Sequence, residues 1–296
     1  MGVRSGMDIH VRAAAQPEKP ITAWIRALDR VSPFARGEGA TLPAILADMA
    51  TRIGTRPALL MESGSLSYYD LAERVARYAR WTLLQGIGQG DVVCLLLPNC
   101  PDYAAIWLGI TSVRGVVALL NPNLAGDALL HAIVTARPKH LIVSAGIQDK
   151  LTEIRCQLSP DIAIWSVGAG TGWPRIDAYV QELTDLWVGV QEQRPARIND
   201  LALQIFTSGT TGLPKAARVS HRRIAEWSCW FAGLLDTTQN DTMYNCLPMY
   251  HSVGGVVAIG AMLVAGGSVV IRPKFSATRF WDEVVKWDCT LFQYIG

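Results

Sequence analysis

Short apolar segments alternate with helical patterns between residues 92 and 167. This pattern predicts strands at Val92–Leu97, Val116–Leu120, Leu141–Val143 and Ile162–Val167, with a helix in each interval between them. Strands that are apolar throughout are typical of parallel sheets, because helices cover both faces of such a sheet. The alternation therefore predicts an α/β fold with mostly parallel sheets flanked by helices.

A cluster of hydroxyl and glycine residues follows the predicted buried strand Leu201–Phe206. The cluster and the lysine behind it are Thr207, Ser208, Gly209, Thr210, Thr211, Gly212 and Lys215. Glycines let successive backbone N–H groups turn toward one point, and such a nest of amides binds anions. The hydroxyls add donors, and a lysine adds a mobile positive charge. We predict a loop that holds phosphate groups, with a polar surface hairpin as the alternative.

Two familiar motifs do not fit this loop. A Walker A loop has lysine directly after glycine, whereas Leu213 and Pro214 separate Gly212 from Lys215. A hydrolase nucleophile elbow has glycine two positions before its serine, and Phe206 stands there before Ser208. The loop is therefore predicted to hold phosphate in a different way from either motif.

The segment 207–215, Thr-Ser-Gly-Thr-Thr-Gly-Leu-Pro-Lys, resembles the signature of the adenylate-forming superfamily of acyl-CoA synthetases, peptide-synthetase adenylation domains and luciferases. Ala216 replaces the usual glycine, and this feature is similar to very-long-chain acyl-CoA synthetases and fatty-acid transport proteins. The blocks at 121–131, 248–252 and 272–281 support the same branch. The resemblance runs from about Thr41 to the last residue. It implies the large N-terminal domain of such an enzyme, ending before that domain is complete.

The resemblance implies an ATP-dependent fatty acyl-CoA synthetase. A fatty acid carboxylate attacks the α-phosphate of ATP to form an acyl-adenylate, and the thiol of coenzyme A then displaces AMP. In this interpretation the residues from Thr207 to Gly212 and Lys215 bind the β- and γ-phosphates. The residues assigned to the acyl pocket are Tyr250, His251, Gly254 and Gly255. The superfamily's Mg²⁺-binding glutamate matches no position here, and no complete catalytic set is predicted.

The sequence leaves several interpretations open. The chain is expected to be the N-terminal part of a ligase, inactive alone, or a non-catalytic nucleotide- or acyl-binding protein. It also fits a partner for a separately encoded C-terminal half, or a ligase for aryl or amino acids. Gly254 and Gly255 equally fit close packing of a helix on a sheet. His251 is not expected to act as a base, because a carboxylate is already ionised near pH 7.

The same patterns predict the domain organisation. Residues 1–20 are expected to be an unstructured tail, and residues 21–187 a first α/β subdomain. A linker rich in glutamine, arginine and proline follows at 188–200. Residues 201–296 are expected to form a second, incomplete α/β subdomain with the phosphate loop, and the resemblance implies that the superfamily's small C-terminal domain is not part of this sequence. Pro98–Asn99 and Asn121–Asn123 follow predicted strands, where α/β folds place ligand-binding loops.

Charge, cysteine usage and hydropathy limit the classes of ligand, partner and location that the sequence predicts. A net charge of +2 predicts no nucleic-acid binding. Six cysteines without C-x-x-C spacing suit reduced thiols in a cytoplasmic protein, and the histidines show no metal-ligand spacing. The uncharged segment Val253–Ile271 is long enough for a membrane span, but its glycines favour a buried helix followed by a strand. Peripheral contact with the inner membrane face stays open, because long acyl substrates reside in membranes.

Overall fold

A computed structural model of the chain describes residues 18–170, 172–183, 194–207 and 215–295. Nearly all of the predicted tail and part of the predicted linker lie outside the described residues. The strands are β1 (Pro57–Met61), β2 (Gly64–Ser67), β3 (Val92–Leu96), β4 (Val116–Leu119), β5 (His140–Ser144), β6 (Ala163–Val167), β7 (Leu201–Thr207), β8 (Lys215–Ser220), β9 (Thr242–Asn245), β10 (Ser268–Ile271) and β11 (Leu291–Phe292). The α-helices are α1 (Pro20–Ala35), α2 (Leu42–Ile53), α3 (Tyr68–Leu84), α4 (Pro101–Ser112), α5 (Gly126–Ala136), α6 (Gln148–Ile154), α7 (Ile176–Gln181), α8 (His221–Leu234), α9 (Ala258–Leu263) and α10 (Phe280–Lys286).

These strands form two sheets. The six-stranded sheet has the order β6-β5-β3-β4-β7-β8, and its pairs are parallel except for the antiparallel β7–β8 hairpin. The five-stranded sheet has the order β11-β9-β10-β1-β2, and only its β1–β2 pair is antiparallel. The predicted α/β fold with mostly parallel sheets is confirmed.

Each sheet takes strands from both sides of the predicted linker at 188–200. β7 pairs with β4 in one sheet, and β10 pairs with β1 in the other. The two sheets and the two predicted subdomains therefore divide the chain differently. The reason is physical, since parallel neighbours need a crossover and can be far apart in sequence.

Helices α3 and α4 share one hydrophobic core with residues of both sheets. α3 begins at a capping box, in which the Ser67 hydroxyl accepts from the Asp70 N–H and the Asp70 carboxylate accepts from the Ser67 N–H. The buried face of α4 includes Tyr103 and Trp107, both 0% exposed. This shared core fixes one sheet against the other, which matters for a site at their common edge.

The uncharged segment Val253–Ile271 folds as the sequence predicts. It forms a π-helical turn at Val253–Val257, continues into α9, and then enters β10. Among the helices of the described ranges, none combines the length and apolar character needed to cross a membrane. The segment is instead part of the protein core, since most of its residues are buried.

Candidate functional site

The predicted phosphate loop is attached to the two strands of the β7–β8 hairpin. Thr207 and Lys215 face each other across this antiparallel pair, and both are exposed. Their Cα atoms are therefore about 5 Å apart, as in any such pair. Residues 208–214 lie outside the described residues, so the phosphate-binding roles of Ser208, Gly209, Thr210, Thr211 and Gly212 stay predictions. The hairpin fixes only the two positions, Thr207 and Lys215, to which this loop is attached.

The loop after β4 leaves the sheet beside this hairpin. Leu119, the last residue of β4, pairs with Ile205 of β7, so the two parallel strands end at the same edge of the sheet. Asn121 and Thr207 therefore both lie at this edge. The side-chain oxygen of Asn121 accepts a hydrogen bond from the Asn123 backbone N–H at 2.9 Å, and this bond stabilises the turn after β4. The carboxyl edge of a parallel sheet is the usual ligand site of such folds.

The predicted acyl-pocket residues Tyr250 and His251 lie in the loop after β9. Their rings are in contact, with centroids 4.3 Å apart. Tyr250 packs against the shared core, and burial raises the pKa of its hydroxyl. The nearby side chain of Asn123 acts on this pKa in the opposite direction. Tyr250 of the loop after β9, from one sheet, therefore lies close to the loop after β4, from the other.

His251 is exposed as a whole, yet partial burial of its imidazole lowers the pKa of this ring below the ordinary value. The ring is therefore neutral at pH 7 and can donate one hydrogen bond and accept another. Its backbone is fixed on both sides, because its N–H donates to the Pro248 carbonyl at 3.2 Å and its carbonyl accepts from the Gly255 N–H at 2.8 Å. A neutral imidazole suits a role in orienting a carboxylate, and the pocket assignment stays a prediction.

Gly254 and Gly255 are buried where the π-helical turn meets the loop before it. An ideal Cβ on Gly254 would lie 2.6 Å from the Pro248 carbonyl oxygen, and one on Gly255 would lie 1.8 Å from the Met249 carbonyl oxygen. Backbone atoms thus fill the space that a side chain would need. Close packing explains both glycines, and their place in an acyl pocket stays a prediction.

The charge near the hairpin is positive. A groove of about 960 Å³ lies between α5 and the β7–β8 hairpin and includes Lys215. Arg137, Lys139 and Arg218 also line it, together with Asp91, which pairs with Lys139 at 2.8 Å. The lining of this groove therefore has a net positive charge.

Asparagines are the site residues whose roles the sequence did not reveal. Sequence patterns placed Pro98–Asn99 and Asn121–Asn123 at strand ends, but the contacts of Asn99 and Asn123 with the loop after β9 required the structure. The available signal was a polar amide directly after a buried strand.

Within the described residues, no group of three or more His, Cys, Asp or Glu side chains could hold a metal ion.

Comparisons with known proteins agree with this arrangement. The AMP-binding enzyme family matches residues 46–295. Long-chain fatty acid transport protein 1 of Rattus norvegicus is 34% identical over 267 residues, which cover 88% of this chain and 41% of that protein. The medium/long-chain-fatty-acid–CoA ligase FadD6 of Mycobacterium tuberculosis is 31% identical over 264 residues, covering 87% of this chain and 42% of that protein.

Solved structures share the fold. The N-terminal domain of FACL13 from Mycobacterium tuberculosis has a TM-score of 0.75 at 21% identity, over 86% of this chain and 62% of that one. A long-chain-fatty-acid–CoA ligase from Archaeoglobus fulgidus has a TM-score of 0.76 at 19% identity, over 85% of this chain and 51% of that one. The fold is thus that of the N-terminal domain of adenylate-forming enzymes.

The chain belongs to the AMP-binding enzyme family, and it is similar to fatty acid transport proteins and long-chain acyl-CoA synthetases. The predicted superfamily and branch are confirmed. The chain spans about two fifths of the length of these curated relatives, with 41% and 42% covered.

Proposed function

We propose that this chain is the phosphate- and acyl-binding part of an ATP-dependent fatty acyl-CoA synthetase. The reaction joins a fatty acid to AMP with release of pyrophosphate, and coenzyme A then displaces AMP to form the thioester. The observation that carries the proposal is the pair of hydrogen bonds by which Asn99, after β3, holds the loop that contains Tyr250 and His251. They bring the predicted acyl residues to the carboxyl edge of the six-stranded sheet, the edge at which β7 leads into the predicted phosphate loop.

The chemistry needs positioning more than it needs reactive side chains. The fatty acid carboxylate is already a nucleophile at pH 7, so the protein must bring it to the α-phosphate and stabilise the charge that develops. Lys215 stands at the end of the phosphate loop, where an ammonium group can follow the β- and γ-phosphates. Tyr250 and neutral His251 offer hydrogen bonds to the carboxylate without adding a competing negative charge.

Magnesium accompanies ATP in most reactions of this kind, because the ion neutralises phosphate charge. The described residues offer no cluster of ligands that fits it. We therefore assign no step to a metal held by these residues. The acyl chain length and the alternatives of aryl or amino acid substrates are left to measurement, since no described contact distinguishes them.

Replacing Lys215 with Ala tests the phosphate-binding assignment. We expect the dissociation constant of MgATP, measured by isothermal titration calorimetry, to rise about tenfold, because one charge-assisted contact of about 1.5 kcal/mol is lost. Lys215→Arg should recover part of the affinity, since it keeps the charge but not the compact ammonium group.

Lys19→Ala is the matched control, because Lys19 is an exposed lysine just before α1, away from the hairpin. It should bind MgATP like the unmodified chain. If Lys215→Ala binds MgATP as tightly as Lys19→Ala, the phosphate-loop assignment is wrong. A panel of fatty, aryl and amino acids, assayed by ATP–pyrophosphate exchange in the complete protein, then identifies the substrate class.

A further inference from the structure

The side chain of Asn99 joins the two sheets at the edge where both predicted sites lie. Its amide N–H groups donate to the carbonyl oxygens of Leu247 and Arg272, each at 2.9 Å. Its side-chain oxygen accepts from the Met249 N–H at 2.8 Å. Asn99 follows β3 of the six-stranded sheet, whereas its three partners follow β9 and β10 of the five-stranded sheet. One side chain therefore ties three backbone groups of the second sheet to the first.

This set of contacts requires an amide. Asparagine carries two donors and an acceptor at one short reach, and all of these functions are used here. Aspartate would keep the acceptor for the Met249 N–H but would present negative oxygens to the two carbonyl groups. Alanine would remove all three bonds and leave partly buried backbone groups without their partner.

The other contacts of the loop show why Asn99 matters for its position. Asn245 holds the loop to its own sheet, since its side chain donates to the Gly254 carbonyl at 2.8 Å and accepts from the Leu247 N–H at 3.3 Å. From the six-stranded sheet, Asn99 reaches the loop backbone and Asn123 reaches the Tyr250 side chain. Asn245 thus maintains the local shape of the loop after β9, while Asn99 holds this loop against the six-stranded sheet.

We propose that Asn99 is a positioning residue that fixes Tyr250 and His251 relative to the carboxyl edge of the six-stranded sheet, and that it thereby governs acyl binding. This inference rests on the proposed function. The bond to Met249 is the direct link, because Met249 immediately precedes Tyr250. The three hydrogen bonds of the Asn99 side chain all go to the loops after β9 and β10 and not to β7 or β8, so nucleotide binding at the hairpin should be largely independent of it.

The first test is independent of any ligand. Hydrogen exchange of the peptide containing residues 247–252 is followed by mass spectrometry in the 296-residue chain and in three variants. Asn99→Ala should raise exchange at the Met249 amide about tenfold, and Asn99→Asp should raise it less, because its oxygen still accepts that N–H. Asn240→Ala, in an exposed turn before β9, should leave exchange unchanged. Equal exchange in Asn99→Ala and Asn240→Ala overturns the proposal.

The second test separates acyl from nucleotide binding. Asn99→Ala and Asn99→Asp should both raise the dissociation constant of palmitate about tenfold or more, while that of MgATP changes less than about twofold. An equal loss of both ligands overturns the proposal, because it indicates a general structural role. If the unmodified chain binds neither ligand, the proposed function fails, and the exchange comparison still decides whether Asn99 positions the loop. Should Asn99→Ala not fold, Asn99→Asp decides in both tests.

Discussion

A methyl group on Gly255 tests how tightly the loop after β9 closes on the π-helical turn. The Cβ of an alanine there would lie 1.8 Å from the Met249 carbonyl oxygen and 2.7 Å from its carbonyl carbon. Both are backbone atoms, so no side-chain rotation can relieve the clash. Either the loop that carries Tyr250 or the turn itself must move, and the hydrogen bond from the Gly255 N–H to the His251 carbonyl must stretch with it.

The expected cost follows from the depth of this overlap. Adding a methyl group to a packed core costs about 1–3 kcal/mol when side chains can adjust. Because backbone must move at Gly255, we expect the upper end, about 3 kcal/mol of unfolding free energy. For a chain of this length, that corresponds to a thermal midpoint about 6 °C lower, at about 2 °C per kcal/mol. Palmitate binding should weaken as well, since the displaced loop holds Tyr250 and His251.

Urea and thermal unfolding followed by circular dichroism measure the effect, with Gly146→Ala as the control. A Cβ on Gly146 would meet only the Ser144 hydroxyl oxygen, at 3.9 Å, which is ordinary contact. We expect Gly146→Ala to keep the stability of the unmodified chain. If Gly255→Ala is equally stable and loses only palmitate binding, the close-packing interpretation is wrong, and the space beside Gly255 belongs to an acyl pocket.

Two further predictions concern buried charge. Arg272, with its side chain 3% exposed, pairs with buried Glu283 and also with the more exposed Glu62 at 3.2 Å. Glu283→Gln should lower the unfolding free energy in urea by about 2 kcal/mol, because the buried guanidinium loses its buried partner and keeps only Glu62. The exposed carboxylate Asp48 is the control, and a loss no larger than that of Asp48→Asn, below about 1 kcal/mol, would contradict the reasoning. Burial lowers the pKa of His221 to about 4, although its Nε2 donates to the Thr111 carbonyl at 3.1 Å. The unfolded chain therefore takes up this proton first, near pH 6.5, and stability from this residue falls by about 2 kcal/mol between pH 7 and pH 5. His221→Gln should flatten that part of the curve by this amount, and an unchanged pH dependence would refute the assignment.

Local sequence patterns predicted the alternating strands and helices between residues 92 and 167, because their signals are local. In the same way, glycines divide the segment Val253–Ile271 into a helix and a strand. The strands β2 and β8 were not predicted, since they are short and mostly polar or exposed and depend on pairing with β1 and β7. The pairing of β1 with β10 joins residues about 210 positions apart, as Leu59 with Val269, and no local pattern encodes it.

In the candidate site, too, local sequence signals predict some features, whereas others depend on long-range packing. Residue types and their order predicted a phosphate loop with Thr207 and Lys215 at its ends, whereas the acyl-pocket roles of Tyr250 and His251 are implied only by the resemblance to known relatives. The glycines at 254 and 255 were compatible with either a pocket or close packing, and only the positions of the backbone atoms favour packing. The three bonds of Asn99 depend on how two sheets meet, and that arrangement follows from the whole core.

The proposed chemistry gives a reason for contacts that join the sheets. A carboxylate and an α-phosphate react only when their atoms approach within about 3.5 Å, and an error of about 1 Å can cost a hundredfold in rate. The predicted acyl loop belongs to the five-stranded sheet, whereas the predicted phosphate loop belongs to the six-stranded one. Sliding of one sheet past the other would therefore change this distance directly. In the proposed role, the three bonds of Asn99 oppose such sliding at the edge itself, where a bond of fixed length has the greatest effect on the reacting atoms.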